Sequence, residues 1–163
     1  MRKITLTMLM AAFFAAPAWS ADATTFDSVM EHYEPVRLTL MEDSMVGVNR
    51  HGAAIAEALR ELQADFSAES AGVTDEVATV VREKLDAMIA AADAIAGADS
   101  LQTAREAFYE LSMPLVRWHA GVAGNLRPAV AYCPMHKKSW LQPDGEIGNP
   151  YGGMPGCGEI VAR

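Results

Sequence analysis

The chain has 163 residues, with 13 lysines and arginines against 21 aspartates and glutamates, so that its formal net charge is −8. This acidic balance argues against nucleic acid and anionic membranes as partners, since both require a basic face on the protein. The negative net charge is typical of an exported protein with a well-solvated surface, or of a protein that binds cations.

The N-terminus has the pattern of a cleaved export signal. Arg2 and Lys3 form a positive start, a short apolar run follows, and small residues precede Ala21. As a helix the run would be only about 20 Å long, too short to cross a hydrocarbon core of about 30 Å. We therefore predict a signal peptide over residues 1–20, cleaved between Ser20 and Ala21, and a periplasmic protein; the alternative is an uncleaved anchor. Cleavage leaves 11 basic and 21 acidic side chains, a net charge of −10, on a length that suits one domain.

The apolar residues between Phe26 and Val122 recur every three or four positions, which is the period of amphipathic helices. Residues 67–72 interrupt this period and predict a loop. Four stripes result: Phe26, Val29, Met30, Tyr33, Val36 and Leu40; Val48, Ala53, Ile55, Leu59, Leu62 and Phe66; Val77, Val81, Leu85, Met88, Ala92 and Ile95; Leu101, Ala104, Phe108, Leu111, Leu115, Trp118 and Val122. Short connections make neighbouring helices antiparallel, so the sequence predicts an all-α, antiparallel up-down four-helix bundle over residues 21–127.

Residues 128–163 form a second part of the chain, rich in glycine and proline, where the helical period ends. Trp140, Leu141 and Tyr151 make this segment too apolar for a disordered tail. We predict an irregular but ordered C-terminal segment, with up to two short strands, folded back on the bundle. The bundle itself is expected to fold without the segment, since four stripes can bury one another.

The C-terminal segment contains both cysteines of the chain, each three residues from another soft or borderline donor. Cys133 precedes His136, and Met154 precedes Cys157, with Met135 as a further thioether. Thiolate and thioether ligands select Cu(I), and imidazole suits copper and zinc. These five residues are therefore the candidate metal ligands, with Cu(I) as the first candidate ion.

A disulfide between Cys133 and Cys157 is the competing interpretation. An even number of cysteines in an exported protein usually forms disulfides. Closing a loop of this length would stabilise the fold by about 3 kcal/mol in the chain-entropy estimate. The two interpretations are compatible if the metal binds only to the reduced protein.

The other three histidines are weaker candidates. His32 near the start of the first helix and His119 near the end of the last are expected at the same end of the bundle, where they are reserve ligands for the C-terminal segment. His51 is expected at the opposite end, near Met41 and Met45. A single helical histidine is more often a surface or capping residue than a ligand.

Motifs of common enzymes and cofactor proteins are missing from the sequence. It has no Cys-x-x-Cys-His for covalent haem, no Glu-x-x-His pair for a di-iron site, and no GxSxG, HExxH or phosphate-binding loop. We predict that the protein is not an enzyme.

The chain from about Phe26 to Ile160 resembles a family of exported helical domains of unknown function, and the resemblance is most specific in the last third. The residues that carry the resemblance are, in order, Arg105, Phe108, Leu111 and Ser112, then Cys133-Pro134-Met135, Trp140-Leu141-Gln142, Ile147, Asn149-Pro150-Tyr151, Met154 and Cys157-Gly158. Members of that family occur alone or fused to periplasmic adaptor subunits of copper/silver efflux pumps.

The resemblance implies that Cys133, Met135, Met154 and Cys157 form a metal site, and that an efflux-pump adaptor is a partner. His136 departs from the family pattern, in which a small residue is usual at this place. Cys-Pro-Met-His also resembles the short heavy-metal-binding motif of the same adaptors. The resulting hypothesis is a periplasmic Cu(I)-binding protein of heavy-metal efflux; the alternative is a structural or protein-interaction domain locked by a disulfide.

Overall fold

The computed structural model describes residues 23–122 and 127–163. The predicted signal peptide, residues 1–20, lies outside these described residues. Within them, none of the helices has the length and apolar character needed to span a membrane. The helices are α1 (Thr25–Met41), α2 (Val48–Ala64), α3 (Ala68–Ala71), α4 (Asp75–Ala96) and α5 (Leu101–His119).

The four predicted stripes correspond to the four long helices, and most of their residues are buried. Thr24 and Ser100 start α1 and α5, since each hydroxyl accepts a hydrogen bond from the backbone N–H three residues later. Helix α1 packs on α2, α2 on α4 and α4 on α5. The prediction of a mainly helical body is thus confirmed.

Residues 67–72 contain a short helix, so the prediction of a loop without helix is wrong here. The Ser67 hydroxyl accepts from Ser70 N–H at 2.9 Å and starts α3, while Gly72 ends it with a positive φ of 69°. Ala71 is fully buried, and one turn is too short to show a helical period in the sequence.

The C-terminal segment forms a three-stranded antiparallel sheet, so the all-α class is too narrow for the whole chain. The strands are β1 (Ala129–Cys133), β2 (Lys138–Gln142) and β3 (Glu159–Ala162), in the order β2-β1-β3. Pro128 and Pro134 lie just outside β1 and do not interrupt its hydrogen bonds. The sequence predicted up to two short strands in an irregular segment, whereas the structure has three, each of only four or five residues.

The sheet and the helices share one hydrophobic core. Trp140 and Leu141 of β2 are fully buried in the same cluster as Phe108 of α5. The Tyr33 hydroxyl joins the two parts: it accepts from Leu141 N–H at 3.2 Å and lies 2.7 Å from Ser112 Oγ. Burial raises the pKa of Tyr33 far above its usual value, so the hydroxyl stays protonated as a donor.

Two arginines attach the backbone of the C-terminal segment to the helices. Arg37 of α1 donates from Nη1 to the Gly148 carbonyl at 2.6 Å, while Glu34 accepts from its other two nitrogens at 2.6 and 2.7 Å. Arg105 of α5 donates from Nε to the Pro150 carbonyl at 2.9 Å. Asn149, which lies between Gly148 and Pro150, is thereby held in a fixed position against α1 and α5.

Candidate metal and disulfide site

Cys133 is the last residue of β1, and the turn that follows directs a backbone donor at its sulfur. Residues 134–137 connect β1 to β2. Cys133 pairs with Lys138 across the two strands, and Lys137 in the turn has a φ of +55°. In this turn the His136 N–H points at Cys133 Sγ, with an N to S distance of 3.5 Å.

Cys157 lies at the end of a second turn and forms a disulfide with Cys133. Its N–H donates to the Met154 carbonyl at 3.0 Å, and the Cα atoms of the two cysteines are 5.6 Å apart, the usual separation for a disulfide. Gly158 is required next to it, since a Cβ there would lie 2.8 Å from the Trp140 ring. The two cysteines that the sequence singled out are therefore brought together.

His136 lies beside the disulfide, and its hydrogen bond with Asn149 shows which of its two ring nitrogens is unprotonated. The Asn149 Oδ1 accepts from Tyr151 N–H at 2.9 Å, and its Nδ2 donates to the Cys157 carbonyl at 3.1 Å. These unambiguous partners make Nδ2 the atom that lies 3.2 Å from His136 Nδ1, so Nδ1 accepts. The same Nδ1 is 3.5 Å from Cys133 Sγ. An unprotonated imidazole nitrogen thus lies next to the sulfur pair.

The two predicted thioethers lie at the surface, one in each cysteine turn. Met135 is 70% exposed and Met154 is 40% exposed. Cys133, by contrast, is fully buried. The two methionine side chains are thus accessible to solvent, whereas Cys133 is not.

With both cysteines in the disulfide, the described residues contain no group of three or more His, Cys, Asp or Glu side chains that could hold a metal ion. Two-electron reduction by an external dithiol would give two thiols next to the His136 imidazole. The arrangement can therefore alternate between a covalent crosslink and a soft donor set of two sulfurs and one nitrogen.

Asn149 and an aromatic group around Tyr151 are parts of the site that the sequence did not identify as such. The Tyr151 ring lies 5.9 Å from the Trp140 ring and 6.3 Å from the His136 ring. The Lys138 ammonium lies 4.8 Å from the ring centres of both Tyr151 and Tyr109. The turn sequence Asn149-Pro150 indicated a bend, but the partners of Asn149 are distant in sequence and left no local pattern.

The remaining histidines do not join this site in the way that the sequence predicted. His119 lies against Phe26, with ring centres 6.4 Å apart, and burial followed by the nearby charge of Arg127 lowers its pKa. His32 instead contacts His51, with their Nδ1 atoms 3.1 Å apart. The prediction that His51 lies at the opposite end of the helices from His32 is wrong, since His32 lies in the middle of α1 and contacts His51 in the first turn of α2.

Comparison with known proteins adds no relative: no protein-family model, curated protein or solved structure matches the chain.

Proposed function

We propose that the protein is an exported soft-metal-binding protein that binds one Cu(I) ion through Cys133 and Cys157 after their disulfide is reduced. The observation that supports this best is the position of His136 Nδ1, 3.5 Å from Cys133 Sγ within the disulfide-bonded pair. Reduction by an external dithiol, which is itself oxidised to a disulfide, supplies two electrons and two protons and gives two thiols beside the imidazole. Cu(I) binding then releases the thiol protons and leaves two soft thiolate donors. Thiolates favour Cu(I), and the imidazole is compatible with it.

Cu(I) is a better candidate than Zn(II) for this donor set. Structural zinc is almost always bound by four ligands in a tetrahedron. Cys133, Cys157 and His136 supply three, and a thioether, the donor type of the exposed Met154 and Met135, is suited to Cu(I) or Ag(I). We propose Met154 as an assisting ligand and Met135 as a weaker one.

The cellular role that fits this chemistry is capture and transfer of Cu(I) in the periplasm. The two exposed methionines would meet the ion first, and ligand exchange would then pass it to the thiolates and on to a periplasmic adaptor of a heavy-metal efflux pump. The helices would serve as a scaffold. We propose that α1, α2, α4 and α5 form an antiparallel up-down four-helix bundle, supported by the packing of each on the next along the chain.

The test is competition with a Cu(I) chelator on reduced protein under anaerobic conditions. We expect one Cu(I) per chain in the wild type and loss of this binding in the Cys133→Ser/Cys157→Ser variant, since the thiolates carry both the softness and the charge. His136→Ala and Met154→Leu should weaken binding less. Met113→Leu is the matched control, because Met113 lies in a groove between α4 and α5 with Lys84 and Arg117. Equal Cu(I) affinity in the double cysteine variant and the wild type would show that the site is elsewhere.

A structural or protein-interaction domain is the second candidate, and the disulfide itself favours it. Cys133 is fully buried and crosslinks the end of β1 to Cys157, as a purely stabilising bond would. A thiol count on protein purified without reductant, followed by metal analysis, distinguishes the two. A disulfide in every molecule, together with no Cu(I) uptake after reduction, would favour the structural role.

A further inference from the structure

We propose that His32 and His51 form a second metal site, independent of the cysteines, which binds a divalent ion of borderline softness with Cu(II) as the preferred ion. The site lies between α1 and α2, where the Nδ1 atoms of the two rings are 3.1 Å apart and the ring centres 5.3 Å apart. Both side chains are partly exposed, so an ion can reach them from solvent.

The spacing of the two nitrogens matches what one ion requires. With metal–nitrogen distances of about 2.0–2.1 Å, adjacent ligands are about 2.9 Å apart in a square-planar complex and about 3.3 Å apart in a tetrahedral one. The observed 3.1 Å lies between these values. The two Nδ1 atoms are therefore spaced to bind one ion once both rings turn from the line that joins these atoms towards the ion.

The hydrogen bonds of the pair determine which ring nitrogens are free to bind an ion, because imidazole binds a metal only through an unprotonated nitrogen. The Arg50 Nη2 lies 3.4 Å from His51 Nε2, which makes Nε2 an acceptor and places the ring proton on Nδ1, as a donor to His32. Metal binding moves this proton to Nε2, so the exposed Arg50 side chain must turn away.

The ligand chemistry selects the ion. Two imidazoles suit Zn(II), Ni(II) and Cu(II), and the order of affinities among divalent first-row ions places Cu(II) highest. In the described residues no third His, Cys, Asp or Glu completes the pair as a metal-binding group, so water would occupy the other positions. This predicts a site weaker than one enclosed by four protein ligands.

The experiment is a titration of the disulfide-intact protein with CuCl₂ in a non-coordinating buffer, followed by electron paramagnetic resonance and calorimetry. We expect a Cu(II) signal with nitrogen ligands in the wild type. His32→Ala and His51→Ala should each weaken this binding by at least about tenfold, because a chelate becomes a single ligand. Arg50→Gln should tighten it by about two- to fivefold, the size of an exposed charge interaction.

Controls separate this site from the cysteine site and from loss of folding. His136→Ala and Cys133→Ser/Cys157→Ser should leave the Cu(II) signal unchanged, so that failure of one proposal does not affect the other. His32→Asn and His51→Asn, which keep a polar side chain, should melt like the wild type and still lose the signal. Unchanged Cu(II) binding in the His32 and His51 variants, or no effect of Arg50→Gln, would overturn the proposal.

Discussion

At the scale of single residues, two buried amides organise a segment that has little regular structure. Gln142 accepts from the Trp140 indole at 2.9 Å and from Gly148 N–H at 3.1 Å. Asn149 binds the backbone of the residues around it and also orients His136. Both amides are 1% exposed, so their hydrogen bonds replace those that water would make.

We predict that Asn149→Ala destabilises the protein by about 2–4 kcal/mol. The substitution leaves the buried Tyr151 N–H and the Cys157 carbonyl without their side-chain partner, and each unsatisfied group costs about 1–3 kcal/mol. Urea unfolding of the oxidised protein measures the change. Gln102→Ala, at an exposed position on α5, should stay within about 0.5 kcal/mol of the wild type. If Asn149→Ala lowers the free energy of unfolding no more than this control does, water must make the hydrogen bonds that the Asn149 amide makes in the wild type.

At the scale of elements, the sequence predicted the helices better than the strands. The stripe through Phe108, Leu111 and Leu115 repeats over five turns of α5, so its period is unmistakable. Strand β1 has five residues, of which four are buried. Its sequence therefore does not alternate between apolar and polar residues, and it is too short for a strand pattern to be recognised. The spacing of Cys133 and His136 did predict their proximity, because one turn of chain joins them.

Reduction of the disulfide should weaken the fold without dissolving the sheet. The bond joins residues that are 24 positions apart, on strand β1 and in the loop before β3. The chain-entropy estimate for such a loop is about 3 kcal/mol. Trp140 and Leu141 stay buried in the shared core, so the reduced protein should keep its circular-dichroism spectrum and unfold cooperatively at lower urea.

Cu(I) added to the reduced protein should restore part of this stability, because a ligand that binds only the native state stabilises it. Identical unfolding midpoints for the oxidised and reduced forms would show that the crosslink contributes nothing. A non-cooperative transition after reduction would show instead that the sheet depends on it.

At the scale of the whole molecule, the contacts between distant parts are what the sequence could not predict. The expectation that the helices fold alone rested on four stripes that bury one another. The structure shows that Tyr33 on α1 and Phe108 on α5 also face the C-terminal segment, through the Leu141 N–H and the Tyr151 ring. The pairing of His32 with His51 is likewise set by the path of the α1–α2 connection, which no stripe encodes.

We therefore predict that a chain that ends before Tyr132 loses cooperative folding. Its helices would expose the surface that Trp140, Leu141 and Tyr151 cover, and each large side chain of this kind contributes about 1.5–3 kcal/mol by burial. A chain that ends at Gly158 is the matched control, since it lacks only β3, whose residues are mostly exposed, and the terminal Arg163. Thermal melting followed by circular dichroism measures both. The shorter chain should melt without a sharp transition or aggregate, whereas the control should melt close to the wild type. A sharp transition in the shorter chain would mean that the helices hold one another without the sheet, as the stripes alone suggested.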